Sequence, residues 1–450
     1  MQAVKGFDEE AFVAAHVSAI PVTSIRINPQ KIDKGHVESI FENNIEEPVP
    51  WSAHGYYLKN RPSFTLDPLF HAGAYYVQEA SSMFLEEALK QIIDIKQPLK
   101  VLDLCAAPGG KSTLIQSIIS KDSLLVSNEV IKARVNILAE NITKWGSANV
   151  IVTNNDPKDF QRLPSYFDVI VVDAPCSGSG LFRKDPQAVE EWSEQNVQLC
   201  SQRQQRILAD IMHALKPGGI LVYSTCSYSP REDEEIADWL METYSLKTVR
   251  LNLALQWGIT ETSSQTSNAW GYRFYPDKIK GEGFFIAAFR KSDDEGQDGY
   301  QLKARSKNEA VPKNEVEHLR PFLSDVNDYF FIKQNEEIIA MPASQENDFA
   351  TIRSALYIKK AGVKMGTLIR SELIPEHELA ISAVITRNLP SIEVDKETAL
   401  QYLRKQEIRL ITGNKGWVLL TYCKLPIGWI KVLPNRINNY YPKDWRILNK

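Results

Sequence analysis

Cysteine is scarce in this chain: five residues in 450, at positions 105, 176, 200, 226 and 423. No two are spaced as CxxC, which argues against a disulfide framework or a zinc site. No apolar run approaches the ~20 residues needed to cross a bilayer. The opening stretch, residues 1–10, lacks the apolar core of a leader peptide. A cytoplasmic protein without membrane or metal is therefore expected, its thiols reduced and available as nucleophiles. A dinucleotide fingerprint GxGxxG is missing too. Lys111-Ser112-Thr113 suggests a P-loop, but position 105 holds Cys where the first glycine of GxxxxGK[ST] belongs.

Net charge is −4, which argues weakly against nucleic-acid binding. The total hides an asymmetry. From residue 398 onward, ten Lys/Arg stand against two Asp/Glu, interleaved with Tyr402, Trp417, Tyr422, Trp429, Tyr440, Tyr441 and Trp445. Basic groups neutralise phosphates and aromatic faces stack on bases. Most of these aromatics read equally well as the core of a small β-rich domain.

A chain of 450 residues exceeds a single hydrophobic core, and two to four domains are expected. Residues 1–95 read as an α+β module. Strands near 101–104, 124–128, 150–153, 169–172 and 220–224 then alternate with helices near 111–120, 132–144, 190–215 and 231–244. Continuous apolar strands separated by helices mean a parallel sheet covered on both faces. The run 283–289 is expected to add an edge strand, closing a domain at 96–291. Polar, acidic and glycine-containing residues 292–314 read as a linker. A hairpin at 329–332 and 338–341 follows, then a small α+β unit built on 392–403, 417–421 and 428–432.

Chemistry concentrates at three strand ends. The first runs into Cys105-Ala106-Ala107-Pro108-Gly109-Gly110-Lys111, whose glycines let the backbone approach a ligand. Glu129 ends the second strand, placed for the two hydroxyls of a ribose. Asp156 follows the third and could accept from an adenine amine. Together these fit S-adenosylmethionine.

The fourth strand ends in Asp173-Ala174-Pro175-Cys176, the next in Ser224-Thr225-Cys226. Carbon 5 of cytosine is a poor nucleophile. Thiolate addition at carbon 6 converts the ring to an enamine whose carbon 5 attacks a sulfonium methyl. Asp173 is placed to hold a proton near ring N3. Cys176 and Cys226 are both candidate thiols, one to attack and one to assist elimination. Cys200 (in a helix) and Cys423 (in a strand) read as small buried hydrophobes, the usual fate of a free cysteine.

These residues resemble the Nol/Nop/Sun (RsmB/RsmF) family of RNA cytosine-5 methyltransferases, and its bacterial RsmF-like branch. The resemblance covers about residues 24–291. It rests on Gln78-Glu79-Ala80-Ser81-Ser82-Met83, the 105–111 loop, Asp173-Ala174-Pro175-Cys176-Ser177-Gly178-Ser179-Gly180, Ser224-Thr225-Cys226-Ser227 and Gly281-Glu282-Gly283-Phe284-Phe285. It implies an α/β fold: a class I (Rossmann-like) methyltransferase sheet with an N-terminal α+β module, an RRM-like unit at 315–384 and a PUA-like RNA-binding unit at 385–450. It also implies that Cys226 attacks, that Cys176 assists release, and that Arg134 joins Cys105–Lys111, Glu129, Asp156 and Asp173 around donor and base.

The function expected is S-adenosylmethionine-dependent methylation of cytosine carbon 5 in RNA. By branch resemblance the substrate is 16S ribosomal RNA or the small subunit, bound by a monomer. The alternatives are a transfer-RNA methyltransferase or a non-catalytic RNA-binding assembly factor. A paired base cannot reach such a pocket, so the target must be unpaired or flipped out.

Overall fold

The structure is a computed structural model that describes residues 4, 6–18, 22–41, 43–293 and 310–448. Most of the expected linker, residues 294–309, lies outside the described residues, as do residues 1–3 and 5 of the opening stretch.

A ten-stranded sheet forms the centre. Its parallel part runs Val150–Thr153, Leu124–Asn128, Lys100–Asp103, Phe167–Asp173, Leu215–Thr225. Alternate side chains enter two separate cores. Leu102, Val126, Ile170, Val172 and Leu221 meet Leu208 and Ile211 of helix Glu194–Ile211 and Ile236 and Leu240 of helix Glu234–Thr243 on one face. Val101, Leu125, Val169, Val171 and Val222 meet Phe84 and Leu89 of Phe84–Ile92, Ile115 of Gly110–Ile118 and Leu138 of Lys132–Trp145 on the other. Burial on both faces is why runs such as Leu124–Val126 and Val169–Val172 are apolar at consecutive positions rather than at alternate ones.

The chain reverses its direction of travel across the sheet between Lys100–Asp103 and Phe167–Asp173, which are parallel neighbours although two strands intervene in sequence. Ligands in open α/β sheets bind at such a switch point, at the carboxyl ends of the strands.

Three expectations about elements are corrected. The strand Phe284–Lys291 is internal, not an edge: it pairs antiparallel with Leu215–Thr225 and with Trp270–Phe274, beyond which lies Thr260–Ser263. Thr260–Ser263 is polar throughout and Gly271 and Arg273 interrupt Trp270–Phe274, so neither gave an apolar run. The helix expected across 190–215 is two, Pro186–Glu191 and Glu194–Ile211, because the Ser193 side chain accepts from Asn196 N and starts a new helix. Within 315–384, where an RRM-like unit is expected, the strands Tyr329–Gln334, Glu337–Pro342, Val363–Ile369 and Glu372–Pro375 pair in chain order as an antiparallel meander, not in a βαββαβ arrangement. A further strand from the same stretch, Ile358–Ala361, leaves that meander and pairs antiparallel with Val150–Thr153 at the edge of the central sheet.

The N-terminal module is a four-stranded sheet whose inner strand Ser24–Ile27 pairs with Gly55–Leu58 and Tyr75–Val77. The C-terminal unit pairs Ser391–Glu393 in parallel with Gly416–Tyr422, followed by Leu425–Leu433 and Arg436–Asn439. Its core takes in Ala72 of the N-terminal module.

Candidate active site

A cleft enclosing about 520 Å³, part of it open to solvent, lies at the switch point. One wall is the loop of Cys105, Ala106, Ala107, Pro108, Gly110 and Lys111; the other is Tyr76, Val77, Gln78, Glu79 and Ser82 from the N-terminal module, with Asp173 beside them. Gly109 closes the loop at φ +115°, a conformation that favours glycine, and starts helix Gly110–Ile118 with no side-chain cap. The uncapped N–H groups there suit an anionic group.

Arg26 fixes this helix from the N-terminal module. Buried at 1% exposure, its guanidinium donates to Gly110 O (3.2 Å), Thr113 Oγ1 (2.6 Å), Ser117 Oγ (3.1 Å) and Gln78 Oε1 (2.8 Å) and lies over the Trp145 ring. It therefore ties the two walls together. Arg26 was not legible in the sequence, because a lone arginine in a four-residue strand gives no sign that it will be buried against another domain.

At the far end of the cleft, Lys111 Nζ pairs with Asp173 Oδ2 at 2.8 Å, and Ser224 Oγ donates to Asp173 Oδ1 at 2.9 Å. Burial pulls the Lys111 ammonium down, but Asp173 more than offsets it and leaves Lys111 above its ordinary pKa; Cys226 adds in the same direction. Lys111 is thus a persistent cation whose field reaches the Cys226 sulfur.

The two thiols meet. Cys176 Sγ and Cys226 Sγ are 3.0 Å apart, brought together because Phe167–Asp173 and Leu215–Thr225 are parallel neighbours with Asp173 opposite Ser224. The bond to Cys226, and then burial, push the Cys176 thiol well above its ordinary pKa. Cys226 is the thiol that interacts electrostatically with Lys111. A thiolate is favoured next to positive charge.

The remaining residues are placed as follows. Cys105 lines the cleft, and burial, before the charges of Asp103 and Asp173, raises its thiol pKa. Glu129 is buried, accepts from Ile131 N at 2.9 Å, and faces Arg134 Nη1 at 3.7 Å; Arg134 Nη2 donates to Ala107 O at 2.6 Å. The Asp156 carboxylate caps the turn Pro157–Arg162 and is not among the residues lining the cleft. Cys200 is buried in its helix as expected, but Cys423 is exposed in the turn between Gly416–Tyr422 and Leu425–Leu433, a correction to its reading as a buried strand residue. Two buried acids were missed. Asp103, accepting from Ser112 Oγ at 2.6 Å, is pushed up to about 7 mainly by burial. Glu232, fully buried, bonds to Ser177 and Ser227, the residues that follow the two thiols.

Comparison with known proteins agrees with this geometry. The family described as 16S rRNA methyltransferase RsmB/F matches residues 90–290. The N-terminal domain of 16S rRNA methyltransferase RsmF matches residues 1–80, and the methyltransferase RsmF PUA domain matches residues 389–447. The ribosomal RNA small subunit methyltransferase F of Shewanella loihica is 32% identical over 94% of this chain and 88% of its own length. The chain belongs to the RsmB/F family. A second RsmB/F relative, the enzyme of the same name from Salmonella agona, is 31% identical over 94% of this chain and 89% of its own. Among solved structures, a methyltransferase homolog from Pyrococcus horikoshii is 32% identical, covers 64% of this chain and 92% of that one, and superimposes with a TM-score of 0.54.

Membership of the RsmB/F family makes the chain an S-adenosylmethionine-dependent RNA methyltransferase. The residues present fit that donor. The uncapped helix start at Gly109–Gly110 can take a carboxylate, and the Glu129 carboxylate at the next strand end can take ribose hydroxyls. No helix among the described residues is long and apolar enough to cross a membrane.

Proposed function

We propose that this chain methylates carbon 5 of a cytosine in small-subunit ribosomal RNA, in the cytoplasm and as a monomer, with Cys226 as the nucleophile. One observation carries the assignment of roles: the two strand-end thiols touch at 3.0 Å, and Cys226 interacts electrostatically with the Lys111 cation.

The Cys226 sulfur bonds to carbon 6 of the base, and the ring electrons shift onto carbon 5 and N3. Asp173, held between Lys111 and Ser224, faces the ring edge, and the pair supplies a proton and a positive field at N3. S-adenosylmethionine, when bound, supplies the sulfonium methyl. Loss of the carbon 5 proton to a base then expels Cys226 as a thiolate, and the thiol of Cys176 stabilises that leaving group by hydrogen bonding. Glu129, Arg134 and the 105–111 backbone hold the donor. The C-terminal unit, matched to the PUA domain of RsmF, supplies a basic surface for the RNA backbone.

Transcripts carrying 5-azacytidine test the roles. Wild type should be trapped covalently and Cys226→Ala should not; Cys176→Ala should still attack and accumulate the adduct. A trap that depends on Cys176 would reverse the assignment. Methyl incorporation into small subunits but not into transfer RNA checks the substrate.

A further inference from the structure

We infer that Glu232 is the positioning residue of this active site: one buried carboxylate that clamps both cysteine loops and sets the distance between the two sulfurs. The inference rests on the assignment of Cys226 as nucleophile and Cys176 as its partner.

Glu232 is fully buried, with 0% exposure, in the short turn Pro230–Glu232. Its Oε1 accepts from Ser177 N at 2.8 Å and from Gln204 Nε2 at 3.2 Å. Its Oε2 accepts from Ser177 Oγ at 2.5 Å and from Ser227 Oγ at 2.6 Å. Ser177 follows Cys176 and Ser227 follows Cys226, so a single carboxylate holds the residue next to each thiol. Gln204 also donates to Pro175 O at 3.1 Å and fixes the other side of Cys176. No cation pairs with Glu232 among the described residues. Four donors satisfy it instead, which is how a buried carboxylate is retained without a counter-ion.

Other ties join the loops, Gly180 N to Cys226 O at 2.8 Å and Tyr228 N to Ser179 Oγ at 2.9 Å. Neither reaches Ser177 or Ser227. Glu232 alone bonds to the residue after each cysteine. Its negative charge also adds to the forces that keep Cys176 protonated, after the bond to Cys226 and burial. A carboxylate is needed because all four partners donate. An amide in its place would turn one N–H pair toward them.

Thiol closure reads the clamp without RNA. Oxidised glutathione joins the two sulfurs and releases two glutathione thiols, at a rate set by how often they meet. In full-length Glu232→Ala we expect closure at least ~10-fold slower and turnover on RNA lowered ~100-fold, the scale of a 1 Å misplacement. The KM for RNA and the affinity for S-adenosylmethionine should change less than threefold. Glu232→Gln, which keeps the shape and should fold, is expected to fall between wild type and alanine in both readouts. Wild-type closure and turnover rates in either variant would overturn the inference. So would equal losses in turnover and S-adenosylmethionine affinity, which would mean general damage. If wild type itself closes rapidly but methylates no cytosine, the functional reading fails while the clamp stands.

Discussion

The Lys111 ammonium and the Asp173 carboxylate meet at 2.8 Å across the switch point, one from the cofactor loop and the other from the end of a strand beside it. Each comes from a motif legible on its own, yet the pair exists only because the two strands preceding them are neighbours. Lys111→Met would leave Asp173 without its cation and remove a positive charge that acts on Cys226. Turnover should fall ~10²–10⁴-fold, and 5-azacytidine trapping should slow in parallel. Single-turnover kinetics at saturating S-adenosylmethionine measure it.

Arg26 makes a second prediction. Burial lowers its guanidinium to about 9, with Glu86 and Tyr76 opposing, and its donors satisfy carbonyls and hydroxyls of the cofactor helix. Arg26→Met should cost at least ~3 kcal/mol of stability, because several buried acceptors lose their partner, and should weaken S-adenosylmethionine binding. Arg26→Lys should not restore either, since an ammonium cannot reach the same fork of acceptors. Denaturant unfolding and calorimetry test both parts.

Asp103 gives a pH dependence of definite sign. Its carboxyl is raised from 3.8 to about 7, chiefly by burial. The folded chain holds this proton over a range where the unfolded chain has released it. The contribution to stability is present below about pH 4 and is lost as pH rises to about 7. Its span is at most about 4 kcal/mol. Asp103→Asn should therefore stabilise the protein at pH 8 more than at pH 5; equal changes in melting temperature at both would contradict the argument.

His377 gives the opposite sign. It is buried where the C-terminal unit meets the rest, edge-on to the Tyr441 and Trp445 rings, and neither ring nitrogen has a hydrogen-bond partner among the described residues. Burial, then Lys144 and Lys31, lowers its pKa from 6.5 to about 3. Between these values the unfolded chain binds the extra proton, so stability falls as pH drops from 6.5 towards 3. His377→Leu should flatten that acid limb, seen as a smaller fall in melting temperature between pH 6.5 and 4.5.

The sequence by itself determined the central strands, the glycine loop and both thiols. Strands buried on both faces leave uninterrupted apolar runs, and Val150–Thr153 and Leu124–Asn128 were legible residue for residue. Sulfur and glycine are scarce enough that their placement at strand ends carried information. The outer strands Thr260–Ser263 and Trp270–Phe274 were not legible, because the first is polar throughout and a glycine and an arginine interrupt the second. Nor was the edge contribution of Ile358–Ala361, whose pairing partner lies about two hundred residues away.

Only tertiary structure decided which side chains face one another. Arg26, Gln78 and Thr113 are far apart in sequence and share one buried network. Glu232 falls at the start of the helix expected near 231–244, and becomes the acceptor for both cysteine loops only when two parallel strands lie side by side. Local patterns record burial and turn geometry. The meeting of distant donors and acceptors follows from strand order, which no local pattern encodes.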